Sequence, residues 1–209
     1  MTELLTIALP TGRLGKQSIK LLQEAQILQD FDGPSRKLKI LDQKNSIAYL
    51  FIKPSDIATY VEKGVADLGI VGKDTLLEQQ KQVYELLPLG IGKCVFAVAG
   101  FEEANMQSEK DTLVVASKYP NIARDYFQKQ GQKIDTIYLN GSVELAPLMG
   151  LSDVIVDIVE TGSTLKANNL QVLETMMDVE AVLIAGKSNY QFAYPRIQEI
   201  IRKLKEVIQ

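Results

Sequence analysis

The chain has 209 residues, 46% hydrophobic and 23% charged, with a net charge of −3. That length accommodates one α/β domain or two small ones, each with a proper core, and the slightly acidic balance excludes a general attraction to nucleic acid or to an anionic membrane surface. The lack of any histidine excludes Ser-His-Asp and Cys-His catalysis and His-ligated metal centres, leaving proton transfer to Asp, Glu, Lys, Tyr or water.

In chain order, "LLTIAL" (residues 4–9) predicts a strand and "PTGRLGK" a turn. The apolar residues of "QSIKLLQEAQIL" (17–28) fall at helical spacing. "SIAYLFIK" (46–53) predicts a strand stopped by Pro54, and "SDIATYVEKG" a helix capped by Ser55 or Asp56 and closed by Gly64. "ADLGIVG" is a short strand and "KDTLLEQQ" the next helix. "VYELLPLGIGKCVFAVAG" holds two strands around a Gly-rich middle. "DTLVVAS", "KIDTIYL" and "DVIVDIV" are further strands. A helix at "YPNIARDYFQKQG" and a short helix or turn at "SVELAPLMG" lie between them. "LQVLETM" and "AVLIAG" predict two more strands, and "YPRIQEIIRKLKEVIQ" an amphipathic helix with a basic outer face. The polar segment 100–111 predicts a surface loop near a domain junction.

This alternation predicts an α/β fold of two lobes with mostly parallel sheets and flanking helices. The first lobe is expected to take residues 1–92 plus 180–209. The second, residues 93–179, is inserted into it, and the final helix returns to the first. A single doubly wound sheet is the other arrangement the pattern allows. No internal repeat is strong enough to name. The N-terminus has an acid and no base before its apolar run, unlike a secretory signal. No stretch reaches the roughly 18 apolar residues of a membrane span. A single cysteine, Cys94, cannot form an internal disulfide and reads as a small core residue. A cytoplasmic protein is expected.

The segment that carries chemistry is "DVIVDIVETGSTL" (153–165). A Val/Ile-rich strand bearing Asp157 runs into Thr161-Gly162-Ser163-Thr164. Ligands of an open parallel sheet sit beyond the carboxyl ends of its strands. A glycine lets backbone approach a phosphate, and hydroxyls and N–H groups at a helix start donate to it. Asp157 would repel a phosphate but suits sugar hydroxyls or a Mg2+-bound water, so the pair suggests a ribose 5-phosphate moiety. A tight turn in which Asp157 caps a neighbouring helix fits these residues as well.

Four stretches in the same order, "LPTGRL", "GVADLGIVGKD", "ASKYPN" and "GSVELAPLMGLSDVIVDIVETGSTLKANNL", resemble the ATP phosphoribosyltransferase family over about residues 5 to 187. The resemblance implies two lobes like those of type II periplasmic binding proteins, with substrates in the cleft between them. It implies transfer of the 5-phosphoribosyl group from phosphoribosyl diphosphate to N1 of ATP. Pyrophosphate leaves with Mg2+, and the reaction is the first step of histidine biosynthesis. It implies that Thr161, Gly162, Ser163 and Thr164 hold the 5-phosphate and that Asp157 faces the ribose hydroxyls. Gly12, Arg13 and Lys53 would serve the pyrophosphate. Lys73 and Asp74 would meet ATP, and Gly141, Ser142 and Glu144 would line the cleft near nucleotide or Mg2+. No side chain is assigned as a direct metal ligand. Relatives often carry Arg at the Lys53 position and Lys at the Thr11 position, so Lys16 or Arg36 would have to compensate. Asp67 is expected to be structural, Tyr119 and Pro120 to start a helix, Glu144 to be either a site residue or a helix-cap partner, and Glu160 to face solvent.

The chain's length matches the short form of the family. That form works as a hetero-oligomer, with a homodimer of catalytic subunits and a regulatory subunit resembling the catalytic core of histidyl-tRNA synthetase. The final helix could touch such a subunit, though packing on its own lobe is simpler. The competing class is a cytoplasmic small-ligand-binding protein of the same fold without catalysis.

Overall fold

The computed structural model describes residues 4–29, 37–103 and 112–208. The first elements are β1 (Leu5–Pro10), α1 (Gly12–Glu24), β2 (Lys39–Asp42), β3 (Ile47–Ile52), α2 (Ile57–Glu62), β4 (Leu68–Gly72), α3 (Lys73–Gln79) and β5 (Val83–Pro88). Next come β6 (Cys94–Gly100), β7 (Leu113–Ser117), α4 (Pro120–Lys129), β8 (Ile134–Tyr138), α5 (Leu145–Leu148), β9 (Val154–Val159), α6 (Ser163–Ala167) and β10 (Gln171–Val179). The last are β11 (Ala181–Gly186), α7 (Lys187–Tyr190) and α8 (Tyr194–Val207). The chain forms two compact units, Met1–Gly92 with Glu180–Gln209, and Lys93–Val179.

The first unit is built on a six-stranded sheet in the order β2-β3-β1-β4-β11-β5. Strands β3, β1 and β4 pair parallel with one another; β2 and β11 are antiparallel to their neighbours. One face buries Ile7, Leu9, Tyr49 and Ile70 against Leu21 and Leu22 of α1 and Ile197, Ile200 and Leu204 of α8. Ala8, Val71 and Ile184 form part of a second cluster with Ile57, Ala58 and Val61 of α2. Apolar residues at helical spacing thus seat α8 on this unit, and Arg196 ties it further by donating to the carbonyls of Asn45 and Ser46.

The second unit is a five-stranded sheet, β10-β6-β9-β7-β8. Here β9, β7 and β8 are parallel, while β6 and β10 are antiparallel. The expectation of mostly parallel sheets is therefore corrected: both sheets are mixed. Of their parallel strands, β4, β8 and β9 follow helices. No helix separates β5 from β6 or β10 from β11, and the strands of these direct connections supply the antiparallel pairings other than the β2–β3 hairpin.

The two units share one plan that the sequence conceals. Strands β3-β1-β4-β11-β5 of one correspond in order and direction to β8-β7-β9-β6-β10 of the other. An aspartate occupies the same place in each. The Asp67 carboxylate accepts the Thr6 N–H at 2.8 Å, and its own N–H returns to the Thr6 carbonyl at 2.9 Å. Asp153 exchanges the same two bonds with Val114, both at 2.9 Å. Asp67 also accepts from Asn189 Nδ2 at 2.9 Å, which anchors α7. The structural reading of Asp67 follows. Asp67→Ala leaves the Thr6 amide without its charged acceptor and is expected to cost about 2–3 kcal/mol in denaturant unfolding.

Three local expectations are revised. Helix α1 begins at Gly12 rather than after Lys16, because Thr11 is extended (φ −79°, ψ 167°) and already serves as its N-cap. It ends at Glu24 rather than Leu28: Gln26 is left-handed (φ 53°), and the N–H groups of Ile27 and Leu28 turn back to the Leu22 carbonyl. At α2 neither Ser55 nor Asp56 caps through its side chain; the Ser55 hydroxyl donates to the Asp56 carboxylate instead, at 2.9 Å. Cys94 opens β6 and is half-buried rather than in the core. Of the expected loop 100–111, residues 104–111 lie outside the described residues.

Glu62, on α2, provides an acid-sensitive contact. Its carboxylate accepts the Gln82 N–H at 2.9 Å and lies 3.5 Å from Lys81 Nζ. That backbone bond, helped by Lys81, holds its pKa below the usual glutamate value. A carboxyl with a depressed folded pKa stabilises above its unfolded pKa and loses that contribution as pH falls through the folded value. Glu62→Gln is therefore expected to flatten the acid limb of the stability–pH curve below about pH 4.5, read from thermal midpoints across pH.

Candidate active site

The carboxyl ends of β9, β7 and β8 lie side by side on one edge of the second unit's sheet. At the β9 exit, Asp157 is half-buried, and its Oδ1 accepts the N–H of Ile158 at 2.8 Å. Two turns of sequence logic meet beyond it. Leu165 is buried in the core with Ile155 and Ala146, which pins α6. Gly162, at φ 68° and ψ 5°, lets the chain reverse into that helix. A Cβ added at Gly162 would meet nothing nearer than Val159 Cγ1 at 3.9 Å, an ordinary van der Waals contact, so glycine is needed there for its left-handed φ rather than for lack of room.

Around this glycine, Thr161, Ser163 and Thr164 are exposed. Thr161 Oγ1 and Ser163 Oγ are 3.0 Å apart, and the Ser163 N–H is 3.4 Å from Thr161 Oγ1. Among the described residues no acceptor takes the N–H groups of Gly162 or Thr164. These are the donors that a short helix leaves open at its start. Such a cradle of N–H and hydroxyl groups around a left-handed glycine can receive a phosphoryl group. Glu160 is exposed.

At the β8 exit, Gly141 and Ser142 are exposed, and Ser142 adopts φ 49°. Glu144 is the N-cap residue of α5 but makes no side-chain cap bond, so the cap-partner alternative is not realised. At the β7 exit, the Ser117 hydroxyl bonds both the Val156 carbonyl and the Tyr119 N–H. Tyr119 is buried and, with Pro120 next, starts α4 as expected. Asp157, Thr161–Thr164, Gly141, Ser142 and Glu144 thus share one sheet edge. Ser117 was not singled out in the sequence, although "ASKYPN" sets a hydroxyl at the last position of an apolar strand.

In the first unit, β1, β3 and β4 likewise present their carboxyl ends on one edge. Gly12 (φ 81°) and the exposed Arg13 occupy the first turn of α1. The Thr11 N–H donates to the Ile52 carbonyl at 2.9 Å, which brings Lys53 beside them at the β3 exit. Lys73 and Asp74 open α3, but the Lys73 ammonium is paired with Glu85. Asp74 folds back over Gly72, where an added Cβ would fall 2.1 Å from its Oδ1. Lys16 is exposed on α1, and Arg36 lies outside the described residues.

An acidic strand end followed by Thr-Gly-Ser-Thr, on a two-unit α/β frame, is the arrangement that the resemblance to phosphoribosyl-transferring proteins implies. The frame also matches a periplasmic sulfonate-binding protein, SsuA of Methylobacillus flagellatus, at TM-score 0.65 and 13% identity, covering 98% of this chain and 67% of that one. That likeness is one of fold. The ATP phosphoribosyltransferase family model matches residues 53–206. An ATP phosphoribosyltransferase of Clostridioides difficile is 54% identical over 203 residues, 97% of this chain and 98% of that protein. The ATP phosphoribosyl transferase (HisG:HisZ) complex from Thermotoga maritima includes a chain that superposes at TM-score 0.84 with 32% identity, covering 98% of both. The chain belongs to the ATP phosphoribosyltransferase family.

Proposed function

We propose that this chain transfers the 5-phosphoribosyl group of phosphoribosyl diphosphate to N1 of ATP, with the sugar phosphate held at the β9 exit. The observation that supports this most strongly is the loop after Asp157, where among the described residues no acceptor takes the Gly162 and Thr164 N–H groups and the Thr161 and Ser163 hydroxyls sit 3.0 Å apart. N–H groups of Gly162 and Thr164, with the hydroxyls of Thr161, Ser163 and Thr164, would hold the 5-phosphate. Asp157, too close to that phosphate to welcome a second anion, would accept from the ribose hydroxyls.

In the reaction, N1 of the adenine forms a bond to C1 of the ribose as the bond from C1 to the pyrophosphate oxygen breaks, with inversion. Positive charge develops on the ribose ring, and negative charge on the leaving group. Catalysis then rests on alignment and on charges aimed at those two places. Asp157 would stabilise the ring. Arg13 and Lys53, at neighbouring strand exits, would hold the pyrophosphate, with Gly12 giving backbone access. The Lys73–Glu85 pair and the turned-back Asp74 argue for a supporting role of that loop on the ATP side, with Gly141, Ser142 and Glu144 lining the ribosyl side.

Among the described residues, no group of three or more His, Cys, Asp or Glu gathers as a metal cage. A few carboxylates beside hydroxyls and substrate phosphates suit Mg2+, which keeps most of its ligands as water and phosphate oxygens. Bound to the substrate's pyrophosphate, Mg2+ would neutralise charge on the leaving group.

Among the described residues no helix is long and apolar enough to cross a membrane; a cytoplasmic site of action is proposed. We further propose a hetero-oligomer, with a homodimer of these chains and a regulatory subunit resembling histidyl-tRNA synthetase. The test is pyrophosphate release from ATP plus phosphoribosyl diphosphate, with and without that subunit. Turnover in the complex and little in the isolated chain are expected. Release by neither would refute the reading, and full activity of the chain alone would refute the partner requirement.

A further inference from the structure

The β7 exit carries groups that the reaction as described leaves unused. Ser117 ends β7 and is fully buried, although it bears a hydroxyl. Its Oγ donates to the Val156 carbonyl at 2.6 Å and accepts the Tyr119 N–H at 2.8 Å. Strands β7 and β9 are parallel neighbours, and Ser117 pairs with Val156 in register. One residue further along each strand stand Lys118 and Asp157.

A hydroxyl in an apolar interior is costly unless its hydrogen bonds are made. Both are made here, and they clamp the chain on either side of Lys118: β7 to β9 before it, and the Tyr119 amide after it. Tyr119 is held in turn, 4% exposed and edge-on to Phe96 with ring centroids 4.9 Å apart. The Lys118 side chain is exposed, its Nζ 5.7 Å from the Tyr119 ring centroid. Among the described residues no carboxylate pairs with Lys118, whereas Lys73 is committed to Glu85. The sheet edge it occupies bears Asp157 and Glu160, and a bound sugar phosphate would add further negative charge. A cation on a fixed turn at that edge answers this charge.

We propose that Lys118 is a cationic contact to phosphoribosyl diphosphate, and that the buried Ser117 hydroxyl positions it beside Asp157. This rests on the assignment of the sugar phosphate to the β9 exit. The test is steady-state kinetics of the catalytic–regulatory complex. Lys118→Ala is expected to raise KM for phosphoribosyl diphosphate about tenfold, the worth of one charge-assisted contact, while KM for ATP stays within about twofold. Lys118→Arg, which keeps the charge, should bring KM back to within about threefold.

Ser117→Ala should raise the same KM, and adding it to Lys118→Ala should cause little further loss, since two groups acting through one contact are not additive. An unchanged KM for phosphoribosyl diphosphate in Lys118→Ala overturns the proposal. An additive double variant, with both KM values and kcat shifted alike, removes Ser117 as the positioning group. Asp157→Asn in the same assay separates the two levels. If it keeps full turnover, the β9-exit assignment fails. If it loses turnover while Lys118→Ala keeps its KM, only the role of Lys118 fails.

Discussion

Asp157→Asn is expected to lower kcat/KM of the complex by about 10³-fold while leaving the fold intact. A carboxylate about 4 Å from a developing unit charge contributes about 4 kcal/mol at the effective dielectric of a protein surface, and each 1.4 kcal/mol is tenfold in rate. Asparagine keeps an oxygen for the Ile158 N–H that Asp157 now accepts at 2.8 Å, so the β9 exit should hold its shape. The measurement is pyrophosphate release, with circular dichroism and the thermal midpoint as controls on folding. Unchanged turnover would remove Asp157 from the chemistry. The asparagine variant separates charge from shape better than alanine, which removes both.

Gly15→Ala is expected to be the most damaging small change to the first unit. A Cβ there would sit 1.9 Å from the Pro10 carbonyl oxygen, a backbone atom at the end of β1. Neither side can yield by a rotamer change, so α1 must lift off the sheet edge that it packs against. Overpacking against backbone costs about 3 kcal/mol or more. For a chain of this size that is a fall of about 6–12 °C in the thermal midpoint. Because Gly12 and Arg13 lie in the first turn of the same helix, the shift should also raise KM for phosphoribosyl diphosphate. A variant with wild-type melting behaviour would show that α1 is not held where its close approach to β1 puts it.

Much of this architecture was legible because its strands are dense in Val and Ile and bounded by Gly and Pro. The segments "LGIVG" and "VIVDIV" both read directly as strands. Strand β2 was not legible: Lys39-Ile40-Leu41-Asp42 is a short edge strand, half of it exposed, and its hairpin with β3 depends on an Asp42–Asn45 side-chain turn. Strand direction was not legible either. Alternating helices and strands imply parallel pairing, but β6, β10 and β11 pair antiparallel, and periodicity does not register where a chain crosses between units. The common plan of the two units left only faint traces in sequence, since order and direction survive with little more than an aspartate before a strand, Asp67 or Asp153.

The candidate site divides in the same way. Asp157 and its Thr-Gly-Ser-Thr sequel stand out because a carboxylate in a Val/Ile strand and a glycine among hydroxyls each break a local rule for a reason. Gly141 and Ser142 needed the resemblance, and the engagement of Lys73 by Glu85 needed coordinates. Ser117 looked like the end of an apolar strand, because the carbonyl its buried hydroxyl donates to, that of Val156, belongs to a neighbouring strand 39 residues away in sequence.

The proposed chemistry depends on where the 5-phosphate of the sugar rests. The direct measurement is a crystal structure of the complex with phosphoribosyl diphosphate and Mg2+. It should place phosphoryl oxygens about 3 Å from the Gly162 and Thr164 amides and the ribose hydroxyls against Asp157. A 5-phosphate bound elsewhere, with those amides turned to solvent, would contradict it.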